Sequence, residues 1–271
     1  MDMSDKIAQH PPRPDTSHLI TEDDRPVDNR FSERQQRMLP HILFTSWHEG
    51  KPFEALADVA LFSSLDNEDV VAPDFLLSLG VTPRPVTGAQ EDRSYFMWVY
   101  GKAPDLVIEI VSNKVGGELT TRLEKYARIR VTYYAVYDPF HRLGRPELRL
   151  YHLVDGRYVA MTPSSLMTEV GLGLVVWKGR FEDVEARWLR FVDRDGNLLA
   201  TGEEAAREAN HRAAEALAKG EERGKLEGLQ EGKRESAFRA LSIGLSPEQA
   251  AIVSGLSLDE IKQLHLPLRP E

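Results

Sequence analysis

Apolar residues run almost unbroken through Leu106, Val107, Ile108, Ile110 and Val111, a pattern that predicts a strand covered on both faces. A single carboxylate, Glu109, interrupts it. Further apolar runs at 53–63, 70–79 and 131–137 predict more strands. Leu119, Leu123, Tyr126 and Ala127 recur at helical spacing, so 119–130 is expected as a helix after a turn at Gly116-Gly117. An earlier helix is expected over FSERQQRMLPHILFTSW (31–47), capped by Ser32 and ended or kinked at Pro40. Residues 148–161 read as a hairpin turning at Asp155-Gly156, 173–177 as a strand, and a hairpin at Asp195-Gly196 closes the globular part. The order is helix, three strands, helix, strand, then extra hairpins. That is a mixed sheet with helices packed on it, an α/β (α+β) domain.

The pattern changes from about residue 201. Residues 203–240 are rich in Ala, Glu, Lys and Arg, and Gly220, Gly224, Gly228 and Gly232 recur at four-residue intervals. Glycines on one helical face imply either close approach of another backbone or a partly frayed helix, because each costs about 1 kcal/mol relative to alanine. LSPEQAAIVSGLSLDEIKQL follows, with capping boxes at Ser246/Gln249 and Ser257/Glu260 around Gly255, the signature of two short helices. A helix-turn-helix would offer only Lys262 and His265 to a phosphate backbone, so self-association or partner docking is the preferred reading. Three sections result: an N-terminal arm at 1–30, a folded domain at 31–200 and a helical tail at 201–271.

Composition narrows the class without deciding it. With 271 residues and 41% hydrophobic content, the chain can bury one good-sized core beside an accessory segment. No apolar stretch approaches the roughly 18 residues of a membrane span, and MDMSDKIAQHPPRPDTS has no signal-peptide core. The absence of cysteine removes disulfides, thiolate zinc sites and cysteine nucleophiles, and fits a cytoplasmic location. A net charge of −9 speaks against a dedicated sequence-specific DNA binder but not against a nuclease, in which bound metal and local basic groups attract a polyanion.

The chemistry begins with Glu109. A buried, unpaired carboxylate is strongly unfavourable, so the position requires a metal, a cationic partner or a raised pKa. Asp74, in VVAPDFLLSLGV, sits on the preceding apolar run. Two acids on neighbouring strands can converge on magnesium, which takes one or two carboxylates and keeps several waters. Arg122 and Lys125, three residues apart, share one flank of the following helix. Asp105 shares the strand parity of Glu109 and is read as a strand-entry or supporting group. Each has a plainer reading: Glu109 paired with Arg122 or Lys125, Asp74 capping a turn, Lys114 solvated in its loop, and Tyr133, Tyr134 and Tyr137 packing the sheet. His48-Glu49 lacks the second histidine of a zinc helix, and there is neither a glycine-rich phosphate loop nor a nucleophile elbow.

The segments RPVDNRFSERQQRMLPHILFTSW, VVAPDFLLSLGV, RSYFMWVYGKAPDLVIEIVSNKVGGELTTRLEKYARIRVTYYAVYDP and LRFVDRDGNLLATGEEAA, spanning about residues 25–205, resemble the Uma family of restriction endonucleases within the PD-(D/E)xK nuclease superfamily. The final GLSPEQAAIVSGLSLDEIKQL is similar to tails of transposase-type nucleases of that superfamily. The resemblance implies a restriction-endonuclease-like core and magnesium- or manganese-dependent hydrolysis of DNA. Asp74 and Glu109 would hold the metal, and Arg122 and Lys125 would support the attacking water and the phosphate. A homodimer would serve two strands. The superfamily lysine, two residues after the acid, falls at Val111, and the lysine expected four residues before the helix tyrosine is Arg122. Arginine keeps the charge but is a poor proton carrier. The alternative is therefore a catalytically impaired nuclease-fold module that binds nucleic acid or a protein.

Overall fold

Two apolar layers, one on each face of a central sheet, organise the first part of the chain. The computed structural model describes residues 29–48, 50–64, 70–85, 87, 93–112 and 117–264. They form two units, Met1–Gly202 and Glu203–Glu271.

In the first unit, helix α1 (Arg30–Ser46) is followed by strands β1 (Phe53–Ala57), β2 (Leu61–Phe62), β3 (Val70–Val71), β4 (Phe75–Leu79) and β5 (Tyr95–Phe96). The short helix α2 (Met97–Tyr100), the central strand β6 (Leu106–Ile110), helix α3 (Thr121–Arg128) and strand β7 (Tyr133–Tyr137) come next. Two hairpins complete it: β8 (Leu148–Val154) with β9 (Arg157–Met161), and β10 (Gly173–Phe181) with β11 (Val184–Val192). The main sheet has the order β1-β4-β6-β7-β8-β9. Only β6 and β7 are parallel neighbours, joined through α3; the other main-sheet pairs are antiparallel. The expected helix, three strands, helix, strand is therefore α1, β1, β4, β6, α3, β7, a mixed sheet flanked by helices.

Strand parity explains the two layers. Leu106, Ile108 and Ile110 point to the side where Met38, Leu39, Ile42 and Leu43 of α1 are fully buried. Val107 and Val111 point to the other, against Tyr126 of α3 and Tyr134 and Val136 of β7. Both faces of β6 are covered, as an apolar run broken only by Glu109 requires. Glu109 shares the parity of Val107 and Val111, so its side chain lies on the α3 side.

Several local expectations are corrected. Asn29, not Ser32, caps α1, its Oδ1 accepting from the backbone N–H groups of Phe31 and Ser32 at 3.0 Å. The helix continues through Pro40: one missing ladder bond is outweighed by the apolar stripe buried on either side of it. The runs at 53–63 and 70–79 each divide. Asp58 adopts φ 52°, and β2 and β3 leave the main sheet to pair in a separate three-stranded sheet with β5. Asp155-Gly156 does turn the β8–β9 hairpin, both residues at positive φ. The last long hairpin turns instead at Glu182-Asp183, and Asp195-Gly196 closes only a single bridge between Val192 and Leu198.

The second unit contains α4 (Gly202–Ser242), α5 (Pro247–Ser254) and α6 (Leu258–Gln263). Both capping boxes form, and Gly255 ends α5 at φ 68°. Ala237, Ala240, Ala250, Leu256 and Ile261 make a small buried cluster where the end of α4 meets the two short helices. The remainder of α4 is exposed, with Leu217, Leu226 and Leu229 each about 60% accessible or more. Its i,i+4 pairs, such as Arg207–Glu203 and Arg212–Glu208, contribute about 0.3–0.5 kcal/mol each, too little to offset four glycines at about 1 kcal/mol apiece. Among the described residues, no helix is long and apolar enough to cross a membrane.

Candidate active site at the end of the central strand

Glu109 is 1% exposed at the C-terminal end of β6. Its two carboxylate oxygens face different partners on α3. The Arg122 guanidinium donates to Oε2, and the Tyr126 hydroxyl donates to Oε1 at 2.5 Å. Arg122 and Tyr126 are one helical turn apart, which places both over the same spot on the sheet. Gly117 starts this segment at φ 68°, and an added Cβ there would collide with the Thr121 hydroxyl.

Burial pushes the Glu109 carboxyl above its ordinary value, while Arg122 and Tyr126 pull it back and Glu118 adds to the rise. Burial likewise works against the charge on Arg122, but the Glu109 carboxylate outweighs it and keeps the guanidinium more firmly protonated than usual. Burial and then Glu109 push the Tyr126 phenol well up, so it remains a hydrogen-bond donor. A guanidinium held this way is a fixed positive charge and not a base.

Asp74 joins from the neighbouring strand. Phe75 is in register with Ile108, so Asp74, one residue before β4, comes level with Glu109. Its Oδ2 accepts from the Ile110 backbone N–H at 2.5 Å and its Oδ1 from the Gln36 side chain of α1 at 2.7 Å. The negative charge of Asp74 also acts on Arg122. Asp74, Glu109 and Arg122 are thus brought together.

Lys125 points elsewhere: its Nζ donates to the Val70 carbonyl at 2.9 Å, across a cleft of about 360 Å³ lined by Val70, Val71, Ala72, Thr121, Arg122 and Lys125. Arg122 therefore borders both the buried acid and the open cleft. Asp105 is at the opposite end of β6, where its Oδ2 accepts from Leu79 N–H at 2.7 Å and from Lys102 Nζ at 2.5 Å. Shared parity put it on the same face but four residues away along an extended strand, about 13 Å. Lys114 lies outside the described residues.

Sequence reading missed three contributors. Gln36, which holds Asp74, comes from a helix whose role was read as packing. Tyr126 was counted among apolar positions, and only the fold shows its hydroxyl on Glu109. Glu118 is 6% exposed, with Oε2 buried and without a hydrogen-bond partner. Its backbone carbonyl accepts from Tyr134 at 2.9 Å, and the Tyr134 ring lies 5.1 Å from that of Tyr126. Its spacing of four from Arg122 was the available signal.

Carboxylate oxygens are the donor type that a hard divalent cation takes. Asp74, Glu109 and Glu118 are all carboxylates, each oxygen can accept more than one bond, and the Glu118 Oε2 is an orphaned buried acceptor. Among the described residues no three acidic or imidazole side chains converge on one point.

A family model, Uma2, described as putative restriction endonuclease, matches residues 24–174. The chain belongs to the Uma2 family. No curated protein and no solved structure matches it. The Uma2 match spans all the elements that build the site, from α1 with Gln36 to β7 with Tyr134. Within this Uma2 protein the hydroxyl of Tyr126 is expected to matter more than its ring edge. Tyr126→Phe keeps the apolar surface but leaves Glu109 Oε1 without its donor, which should cost about 1–3 kcal/mol. Urea unfolding at neutral pH measures it; a variant as stable as the parent would mean that the bond contributes nothing.

Proposed function

We propose that this chain is a magnesium- or manganese-dependent endonuclease that hydrolyses DNA phosphodiester bonds. The observation that carries the reading is Asp74 standing level with the buried Glu109 beside Arg122, in a chain of the Uma2 family. Asp74 and Glu109 would hold the metal. When bound, the metal supplies an activated water and positive charge for the phosphate oxygens. Arg122, fixed as a cation at the border of the cleft, would neutralise charge on the phosphate. Lys125, on the cleft wall, would position the nucleic acid backbone. A second copy of the chain would provide a second site for the second strand. The lack of cysteine supports work in a reducing cytoplasm.

One observation favours a second reading. Arg122 already occupies Glu109, and a firmly protonated guanidinium cannot carry a proton from water. A chain fixed in that state would be a nuclease-fold module that binds nucleic acid or a protein without cutting. Metal binding decides between them. Calorimetric titration with magnesium or manganese is expected to give binding that Asp74→Ala and Glu109→Ala each abolish. A parent protein that takes up neither ion at millimolar concentration would favour the module, with Glu109 a structural acid.

A further inference from the structure

We propose that the loop between β7 and β8 grips the phosphate backbone of DNA through Arg145 and His141, with Arg187 of β11 beside them. The inference rests on DNA being the partner, and it assigns a binding surface outside the buried acids.

Residues 138–149 carry three arginines and a histidine against two acids, in a chain of net charge −9. Both acids are already engaged. Asp138 is fully buried, and its two oxygens accept from the backbone N–H groups of Arg142 at 2.8 Å and Leu143 at 2.7 Å. Glu147 takes a forked pair of bonds from the Arg187 guanidinium, at 2.9 Å from Nε and 2.6 Å from Nη2. Arg145 and His141 are exposed, and neither side chain has a hydrogen bond or ion pair among the described residues. With Arg187, Pro146 and Glu147 they line a hollow of about 700 Å³.

The loop is braced in this shape. The Asp138 N–H donates to the Glu147 carbonyl at 2.7 Å and closes its two ends. Arg149 Nη2 donates to the carbonyls of Gly144 at 2.8 Å and Leu143 at 3.3 Å. The Phe140 ring meets Phe31 of α1 edge-on at 5.3 Å. A braced loop presents its cations without a large ordering cost on binding.

Its place in the fold chooses the occupant. Strands β6 and β7 are parallel, with Glu109 in register with Val136, so the loop leaves the sheet at the edge where Glu109 and Asp74 stand. One strand spacing and two residues of rise put Asp138 about 8 Å from Glu109. Arg122 and Lys125 line the cleft on the α3 side of that edge, and the loop adds positive groups one strand further along. A small anion would fill one of these places. A polyanion whose charge repeats along its length engages both.

Fluorescence anisotropy of a short labelled DNA duplex in EDTA, where nothing is cut, reads this surface apart from the metal. Arg145→Ala is expected to weaken binding by roughly five- to tenfold at 0.1 M salt and to lower the slope of log affinity against log salt by about 1. The loss should be the same on a second, unrelated sequence, because backbone contacts carry no sequence information. Glu147→Gln, which releases Arg187, should tighten binding. Arg157→Ala removes the same charge just after the β8–β9 turn, at the opposite edge of the main sheet, and should change nothing. An unmoved urea midpoint in Arg145→Ala would show that its loss is not one of folding. If the parent binds the duplex and Arg145→Ala binds it equally well, or Arg157→Ala costs as much, this surface is overturned while the proposed site stands. A parent that binds no duplex even at low salt overturns both.

Discussion

Arg122→Ala is expected to lower the free energy of unfolding by about 3–5 kcal/mol near pH 8, and by much less near pH 5. The reason is what the substitution leaves behind. Glu109 is 1% exposed, and Arg122 is its only cationic hydrogen-bond partner among the described residues. Without it, a charged carboxylate would stay buried with only the Tyr126 hydroxyl. The acid escapes by keeping its proton, so its folded-state pKa, already raised by burial, rises further. An acid whose pKa is higher folded than unfolded favours the native state below the unfolded value, about 4.3, and loses that contribution as pH climbs through the folded value. The penalty of Arg122→Ala therefore grows from mildly acidic to neutral pH. Urea midpoints at two pH values measure it, and equal losses at both would remove Glu109 as the cause. Glu109→Gln combined with Arg122→Met should recover most of the loss, because the stranded charge is then gone.

The second large effect follows from the proposed nuclease activity and is read on DNA. With magnesium or manganese present, nicking of supercoiled plasmid should fall at least about 100-fold in Asp74→Asn and in Glu109→Gln, the size of losing one preorganised electrostatic group. Both changes nearly preserve shape and remove one charge. Glu109→Gln also breaks the ion pair with Arg122, so stability and activity must be followed together. Asp74→Asn is the cleaner of the two, since Asp74 is less buried and is held by Gln36 and the Ile110 N–H. Arg122→Lys separates the two readings of the site. If the firmly held guanidinium limits catalysis, lysine should raise the rate while the other two variants lower it. Cleavage that persists unchanged in Asp74→Asn would exclude these acids from the chemistry.

Much of the scaffold was legible in residue order alone, because period-two and period-3.6 patterns record which face is buried. The apolar run at 106–111, broken only by Glu109, identified a doubly covered strand, and the stripe at Leu119, Leu123 and Tyr126 identified the helix laid over it. Glu109 stood out for the same reason: a carboxylate within such a run must have a partner. The capping boxes at Ser246 and Ser257 and the turn at Asp155-Gly156 also needed only neighbours in sequence. What sequence spacing could not provide was register between segments distant along the chain. Only the β4–β6 pairing brings Asp74 level with Glu109, and only the height of β6 separates Asp105 from it. Likewise, the choice of Arg122 rather than Lys125 as the partner of Glu109 depends on where α3 crosses the sheet. A side chain four residues before Tyr126 reaches the same acid, whereas one a single residue before it turns toward Val70. Local periodicity determined the elements and the faces they bury. Tertiary packing decided which polar groups share a site, because hydrogen bonds and ion pairs are settled over a few ångströms that sequence separation does not measure.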